Sequence, residues 1–163
     1  MGIYSFSGKY KCLSNFYYRE FMLDVVKCKT AEHGFQAMKA HHPEDINRIL
    51  NTSTPGEAKR IGRSICMRDD WENIKVDAMY RVVKSKFEQD PTSRAILLST
   101  DNMPLVEGNT WGDKTWGAVQ IGEGVWQGKN YLGKILMILR RYFLELDKLN
   151  ARVDSALDTL KRS

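Results

Sequence analysis

The sequence predicts a helix-dominated α+β domain with a small β-sheet, and three observations carry that prediction. Much of the chain between Thr30 and Ser99 places apolar residues three and four apart. Short β-branched and aromatic runs stand ahead of it, at Ile3–Phe6 and Phe21–Lys29. A Gly- and Trp-rich stretch, Gly108 to Gly128, interrupts the helical period before it resumes. With 163 residues, 42% hydrophobic and 28% charged, the chain is long enough for one core and shows no linker, repeat or low-complexity segment. One domain is expected over residues 1–146, with residues 147–163 as a helical extension.

The elements follow in order. Ile3–Phe6 and Phe21–Lys29 predict short strands, separated by a polar loop at Ser14-Asn15. Thr30 is placed to cap a helix carrying Glu32, Phe35, Gln36 and Lys39, which His42-Pro43 ends. Pro43–Leu50 reads as a second helix, and Thr54-Pro55-Gly56-Glu57 as a capping box that starts a third. Asp70 is placed to cap a long helix with Trp71, Ile74, Ala78, Val82 and Phe87 on its apolar stripe. Asp90-Pro91 opens another, ending near Ser99. Short strands joined by loops are expected from Leu105 to Gly128. Asn130 then opens the last helix, whose residues Leu139, Tyr142, Leu146, Leu149, Val153, Ala156 and Leu160 alternate three and four apart. Beyond Asp147 that helix is charged except for the stripe, which suits either a frayed tail or a weak self-association element.

Composition narrows the function. The apolar runs are too short to cross a bilayer, and the N-terminus lacks the basic-then-apolar order of a secretion signal, so a cytoplasmic protein with no membrane partner is expected. Cys12, Cys28 and Cys66 form no CxxC pair and predict neither disulfides nor zinc. His41 and His42 are the only other histidines besides His33, and no metal or other cofactor is expected. Lys and Arg outnumber Asp and Glu by 25 to 20, a net charge of +5 that favours a polyanionic or phosphorylated partner.

Three clusters carry chemistry. On the helix after Thr30, Glu32 and Lys39 are seven residues apart and share a face with Phe35 and Gln36. A carboxylate and an amine on one aromatic-polar face suit a pocket, although either alone is more often ordinary surface charge. His33 beside them could serve as a base or a metal ligand, but a structural histidine hydrogen-bonded at the edge of the core is the favoured reading. The second cluster is Trp111-Gly112-Asp113-Lys114-Thr115-Trp116-Gly117, in which tryptophans either stack a ligand or plug the core. In the third, Gly128-Lys129-Asn130 precedes a helix, where free N–H groups beside a lysine make a phosphate cradle.

At these residues the chain resembles the NADAR family, also called YbiA-like. The resemblance lies in Phe6 with Leu13-Ser14-Asn15-Phe16, Thr30-x-Glu32-His33-x-Phe35-Gln36-x-x-Lys39, Trp71 with Lys75 and Met79, and Lys86-Phe87. It continues in Leu97-Leu98-x-Thr100, Leu105-Val106-Glu107, Asp113-x-x-Trp116-Gly117 and Gly128-Lys129-Asn130-x-Leu132-Gly133-x-x-Leu136-Met137-x-x-Arg140. The ordered set spans about residues 6 to 143. It implies a YbiA-like fold and an N-glycosidase that hydrolyses the bond between ribose C1 and nitrogen. The leading substrate is ADP-ribose on guanine in DNA or RNA, which reverses DarT-like modification in toxin–antitoxin and phage-defence settings. The alternatives are early riboflavin-biosynthesis intermediates, or a binding module that holds ADP-ribose without cleaving it. A protein-interaction role for the last helix is a further alternative.

The resemblance also implies site roles. Glu32 is the principal catalytic carboxylate, protonating the leaving amine or activating water. Lys39 traps an opened ribose as a Schiff base or pairs with phosphate. Asp113 holds ribose hydroxyls or stabilises positive charge at C1. Asn15, Phe16, His33, Gln36, Trp71, Trp116, Gly117, Lys129 and Asn130 contribute to substrate binding. The loop after Glu107 departs from the family pattern, so Asp113 takes the aspartate role only if the loop lengths correspond.

Overall fold

The computed structural model describes residues 2–162. A 3₁₀ helix, Gly8–Leu13, leads into a two-stranded antiparallel hairpin of β1 (Phe21–Leu23) and β2 (Val26–Cys28). Five helices follow, α1 (Ala31–Lys39), α2 (Pro43–Asn51), α3 (Pro55–Gly62), α4 (Trp71–Gln89) and α5 (Pro91–Leu98). A second sheet comprises β3 (Gly108–Asn109), β4 (Ala118–Gly122) and β5 (Val125–Gln127), and α6 (Tyr131–Arg162) closes the chain. The order in the second sheet is β3-β4-β5, with β3 parallel and β5 antiparallel to β4.

The structure refines the strand expectations. The Phe21–Lys29 run turns back on itself at Asp24-Val25, where Asp24 takes a φ of 54°, and pairs Phe21 with Cys28. Among the described residues of the N-terminus only Ile3 pairs, as an isolated parallel bridge to Leu105. The 3₁₀ helix had no sequence signal, because its Lys-, Tyr- and Gly-containing run has neither a helical nor an alternating apolar pattern. The strands form two small sheets.

The helix starts are determined locally. Thr30 Oγ1 accepts the His33 N–H at 3.3 Å, and Thr54 and Glu57 make the reciprocal capping box. Pro43, Pro55 and Pro91 each stand where a missing N–H costs nothing. The core lies between α1, α4, the hairpin and the first half of α6, with Leu13, Val82, Phe87, Leu136, Leu139 and Phe143 fully buried. Truncating one of these phenylalanines to alanine costs about 3–5 kcal/mol.

Lys86 is buried in that core. Its ammonium donates to the carbonyls of Cys12 at 2.6 Å and Ser14 at 2.9 Å, which pins the end of the 3₁₀ helix to α4. Burial lowers its pKa to about 8. Arg140, also buried, reaches from α6 to Thr100 Oγ1 at 2.7 Å and the Met103 carbonyl at 2.9 Å, fixing the approach to Leu105–Glu107.

α6 runs unbroken through Asp147, the expected domain edge, to Arg162. An ion pair between Asp147 and Arg94 ties it down near that edge, and every described residue from Lys148 onward is exposed. No helix among the described residues is long and apolar enough to cross a membrane.

Candidate active site

One cavity of about 620 Å³ opens between three segments: the end of the 3₁₀ helix, helix α3, and the loop from Glu107 to Trp116. Its floor is α1, with Glu32, Phe35 and Gln36, together with Met79 of α4 and Leu132 of α6. Ser14, Asn15 and Phe16 form one wall, Lys59 of α3 and Arg63 at its C-terminal cap another, and Glu107, Trp111, Asp113 and Trp116 a third.

Glu32 occupies the first turn of α1. Its N–H donates to the Asn15 carbonyl at 3.0 Å, and its side chain is 5% exposed. Gln36, one turn on, donates its Nε2 hydrogen to Glu32 Oε1 at 2.8 Å. Burial pushes the Glu32 pKa up; the Gln36 bond and the charges of Lys59 and Arg63 oppose that rise, and Asp113 adds to it.

Asp113 is fixed from both sides. Its Oδ1 accepts the N–H groups of Thr115 at 2.9 Å and Trp116 at 3.0 Å. The Asn109 side chain brackets the loop, accepting from Asp113 N at 2.9 Å and donating to Asp113 O at 2.7 Å. Thus the loop closes on itself through Asn109 and leaves Trp111 at its tip, 66% exposed.

Glu107 is a site residue that sequence reasoning did not single out as functional. It lines the cavity, and burial followed by the charge of Asp113 raises its pKa to about 7. Lys59 and Arg63 were also missed, although their i, i+4 spacing along the α3 segment was a readable signal for two cations on one face. For Glu107 the signal was an acid ending the apolar pair Leu105-Val106 ahead of glycine.

The structure sorts the expected site residues. Glu32, Gln36, Asn15, Phe16, Asp113 and Trp116 all line the cavity. Lys39 does not; its ammonium donates to the Gly62 carbonyl at 2.5 Å, and burial lowers its pKa while Glu32 opposes the shift. Trp71 is buried behind the cavity, 5.0 Å from the Phe35 ring, whose other neighbour, also at 5.0 Å, is Trp116. His33 is a core residue, its Nδ1 at 2.8 Å from Thr30 Oγ1 and its Nε2 at 3.3 Å from the Thr52 carbonyl. Gly117 supports from outside, since a β-carbon there would lie 2.2 Å from the Glu107 carbonyl oxygen.

The phosphate cradle expected at Gly128-Lys129-Asn130 is corrected. The N–H groups of Lys129, Asn130, Tyr131 and Leu132 donate to the carbonyls of Lys114, Gly117, Thr115 and Trp116, so these donors are already committed within the chain. Asn130, at a φ of 50°, instead clamps Glu107: its Oδ1 accepts the Glu107 N–H at 3.0 Å and its Nδ2 donates to the Leu105 carbonyl at 2.9 Å. Lys129 lies over the Tyr131 ring at 5.6 Å. Among the described residues, no group of three His, Cys, Asp or Glu side chains is arranged to hold a metal ion.

Three carboxyl groups and two cations therefore share one aromatic-walled space. That arrangement can move protons, stabilise positive charge at a reacting carbon and bind phosphate.

Comparison with known proteins agrees in extent with the residues that build this cavity. The NADAR domain matches residues 4–144. The chain is 39% identical over 142 residues to the N-glycosidase YbiA of Escherichia coli (strain K12), covering 86% of each protein. It is 35% identical over 136 residues to the N-glycosidase Npun_R5314 of Nostoc punctiforme, covering 80% of this chain and 84% of that one. It is 38% identical over 145 residues to the chloroplastic riboflavin biosynthesis protein PYRR of Zea mays, covering 82% of this chain but 22% of that protein. The NMR structure of E. coli YbiA superposes with a TM-score of 0.77 at 38% identity, covering 91% of this chain and 86% of that one.

Proposed function

Because the chain belongs to the NADAR domain family, we propose that it is an N-glycosidase hydrolysing a ribose C1–N bond, with ADP-ribose on a guanine of DNA or RNA as its substrate. The observation that carries this reading is the convergence of Glu32, Glu107 and Asp113 with Lys59 and Arg63 on one cavity. Breaking a C1–N bond requires a proton for the departing nitrogen, charge stabilisation at C1 and a nucleophile. Asp113, held by two backbone N–H groups, is suited to the developing positive charge. The two other carboxyl groups can exchange protons with the leaving group and with water.

Lys59 and Arg63 are suited to the diphosphate, and Trp111 and Phe16 offer apolar faces to a base. Lys39 reaches an opened ribose as a Schiff-base nucleophile only by leaving the Gly62 carbonyl; its lowered pKa favours the neutral amine that such a step needs. The net charge of +5 supports a nucleic-acid substrate over a small free metabolite. In this reading the protein works in the cytoplasm against DarT-like modification.

A second reading, cleavage of the N-glycosidic bond of early riboflavin-biosynthesis intermediates, is favoured by the likeness to PYRR. Incubating the purified protein with an ADP-ribosylguanine oligonucleotide and, separately, with the riboflavin-pathway ribosylamines distinguishes the two. Release of ADP-ribose and recovery of unmodified guanine is expected. Consumption of the ribosylamines alone would transfer the assignment to the second reading, and stoichiometric binding without turnover would make the protein a binding module.

A further inference from the structure

Glu32, Asp113 and Glu107 line the same cavity, but their hydrogen-bond surroundings differ in kind. Glu32 accepts a hydrogen bond from the Gln36 amide, and Asp113 accepts two from the backbone. Donors aimed at a carboxyl oxygen favour its ionised form. The Oε2 of Glu107 is buried and has no hydrogen-bond partner. Among the described residues Glu107 forms no ion pair either; Lys59 of α3 and Lys86 of α4 act on it from a distance, and Asp113 across the loop opposes them. An ionised oxygen left without a donor in such a place is costly, whereas a protonated carboxyl carries no charge and can itself donate.

The mounting of Glu107 is rigid. Its N–H is held by Asn130 Oδ1 and its carbonyl accepts the Ala118 N–H, both at 3.0 Å. A β-carbon on Gly117 would crowd both the Glu107 carbonyl oxygen and, at 3.2 Å, its Cγ. Backbone groups tied to the start of α6 and to β4 give this side chain a fixed origin, as a proton donor requires.

We propose that Glu107 is the catalytic acid that protonates the leaving nitrogen, with Glu32 as the carboxylate base that activates water. The assignment rests on the C1–N cleavage reading above. As the C1–N bond breaks, its electron pair stays on nitrogen, which takes the Glu107 proton. Water adds to C1, either directly or after transient capture by Lys39, and gives a proton to Glu32. Exchange with solvent then returns a proton to Glu107 and removes one from Glu32, so the net reaction consumes one water. Burial raises the pKa of both carboxyl groups, but the Gln36 donor opposes the rise at Glu32 while Glu107 Oε2 has no donor, and this difference in surroundings is what divides the acid's role from the base's.

The test compares two substrates: an ADP-ribosylguanine oligonucleotide, and an ADP-ribose glycoside of 4-nitrophenol, whose phenolate leaves without protonation. Glu107→Gln is expected to lose about 10²–10⁴-fold on guanine release and less than about tenfold on nitrophenol release, with the alkaline limb of its pH profile abolished. Glu32→Gln is expected to lose rate on both. Retained nitrophenol release also shows that the Glu107 variant is folded. In parallel, difference infrared spectra of wild type against Glu107→Gln at neutral pH should show a protonated-carboxyl band in the wild type alone. Wild-type turnover of guanine with an unimpaired Glu107→Gln, an equal loss on both substrates, or no such band would overturn the assignment alone. A wild type inactive on both the guanine substrate and the riboflavin-pathway ribosylamines would overturn the glycosidase reading and this assignment with it.

Discussion

The amide oxygen of Gln36 fills the space that a β-carbon on Gly62 would need: an ideal Cβ there would lie 1.9 Å from Gln36 Oε1. Gly62→Ala should therefore displace Gln36 and break its 2.8 Å bond to Glu32. We expect catalytic turnover to fall by about tenfold, the scale of a lost hydrogen bond to a charged group. The double variant Gln36→Ala/Gly62→Ala should be no worse than Gln36→Ala. Additive losses in that cycle would show that Gly62 acts by another route.

Glu107 should make the fold pH-sensitive. Its folded pKa of about 7 stands above its ordinary carboxylate value, so the folded state holds the proton more tightly than the unfolded chain. The contribution to stability is greatest below the ordinary value and is lost as pH rises through about 7. Glu107→Gln should gain stability relative to wild type by about 2–3 kcal/mol between pH 5 and pH 8. Denaturant titrations at the two pH values check this; parallel behaviour of the two proteins would contradict it.

Lys39 can be tested by trapping. Borohydride added during turnover is expected to fix an ADP-ribosyl adduct on Lys39, located by peptide mass, and Lys39→Arg should yield none. An unmodified wild-type mass would instead restrict Lys39 to its bond with the Gly62 carbonyl, in which it positions Gly62 and hence Gln36.

Removal of residues 150–163 should leave turnover within about twofold of wild type, since the removed residues lie outside the cavity and their described part is exposed. Leu149 and Val153 remain exposed along the three-four stripe. Sedimentation of the full chain should show a weak, concentration-dependent rise in mass that the deletion abolishes. A constant monomer mass would make the extension a solvated helix.

Sequence reading reached the elements whose signals are local. Thr30, the Thr54–Glu57 box and Pro91 set helix starts through neighbours no more than four residues away. The α1 face with Glu32 and Gln36 was likewise readable from spacing alone. Residues whose role depends on distant partners were not. Asn130 looked like a phosphate contact, but the backbone N–H that donates to it and the carbonyl that accepts from it lie 23 and 25 residues earlier. Glu107 and the Lys59–Arg63 pair join Glu32 only once α3 and the Glu107 loop pack against α1. His33 read from its neighbours as a core histidine, but the partner of its second ring nitrogen, the Thr52 carbonyl 19 residues on, was not readable from them.

The closure of the Glu107–Trp116 loop by Asn109 separates two properties that active-site loops usually combine. Asn109 bonds to both backbone groups of Asp113, while the carbonyls of Lys114 through Gly117 accept from residues 129–132 at the start of α6. Only Thr110, Trp111 and Gly112 lie outside that bracket. Those three positions are a natural cassette: their identity and length can be varied by grafting or by selection to change what the cavity mouth recognises, while Asp113 stays anchored.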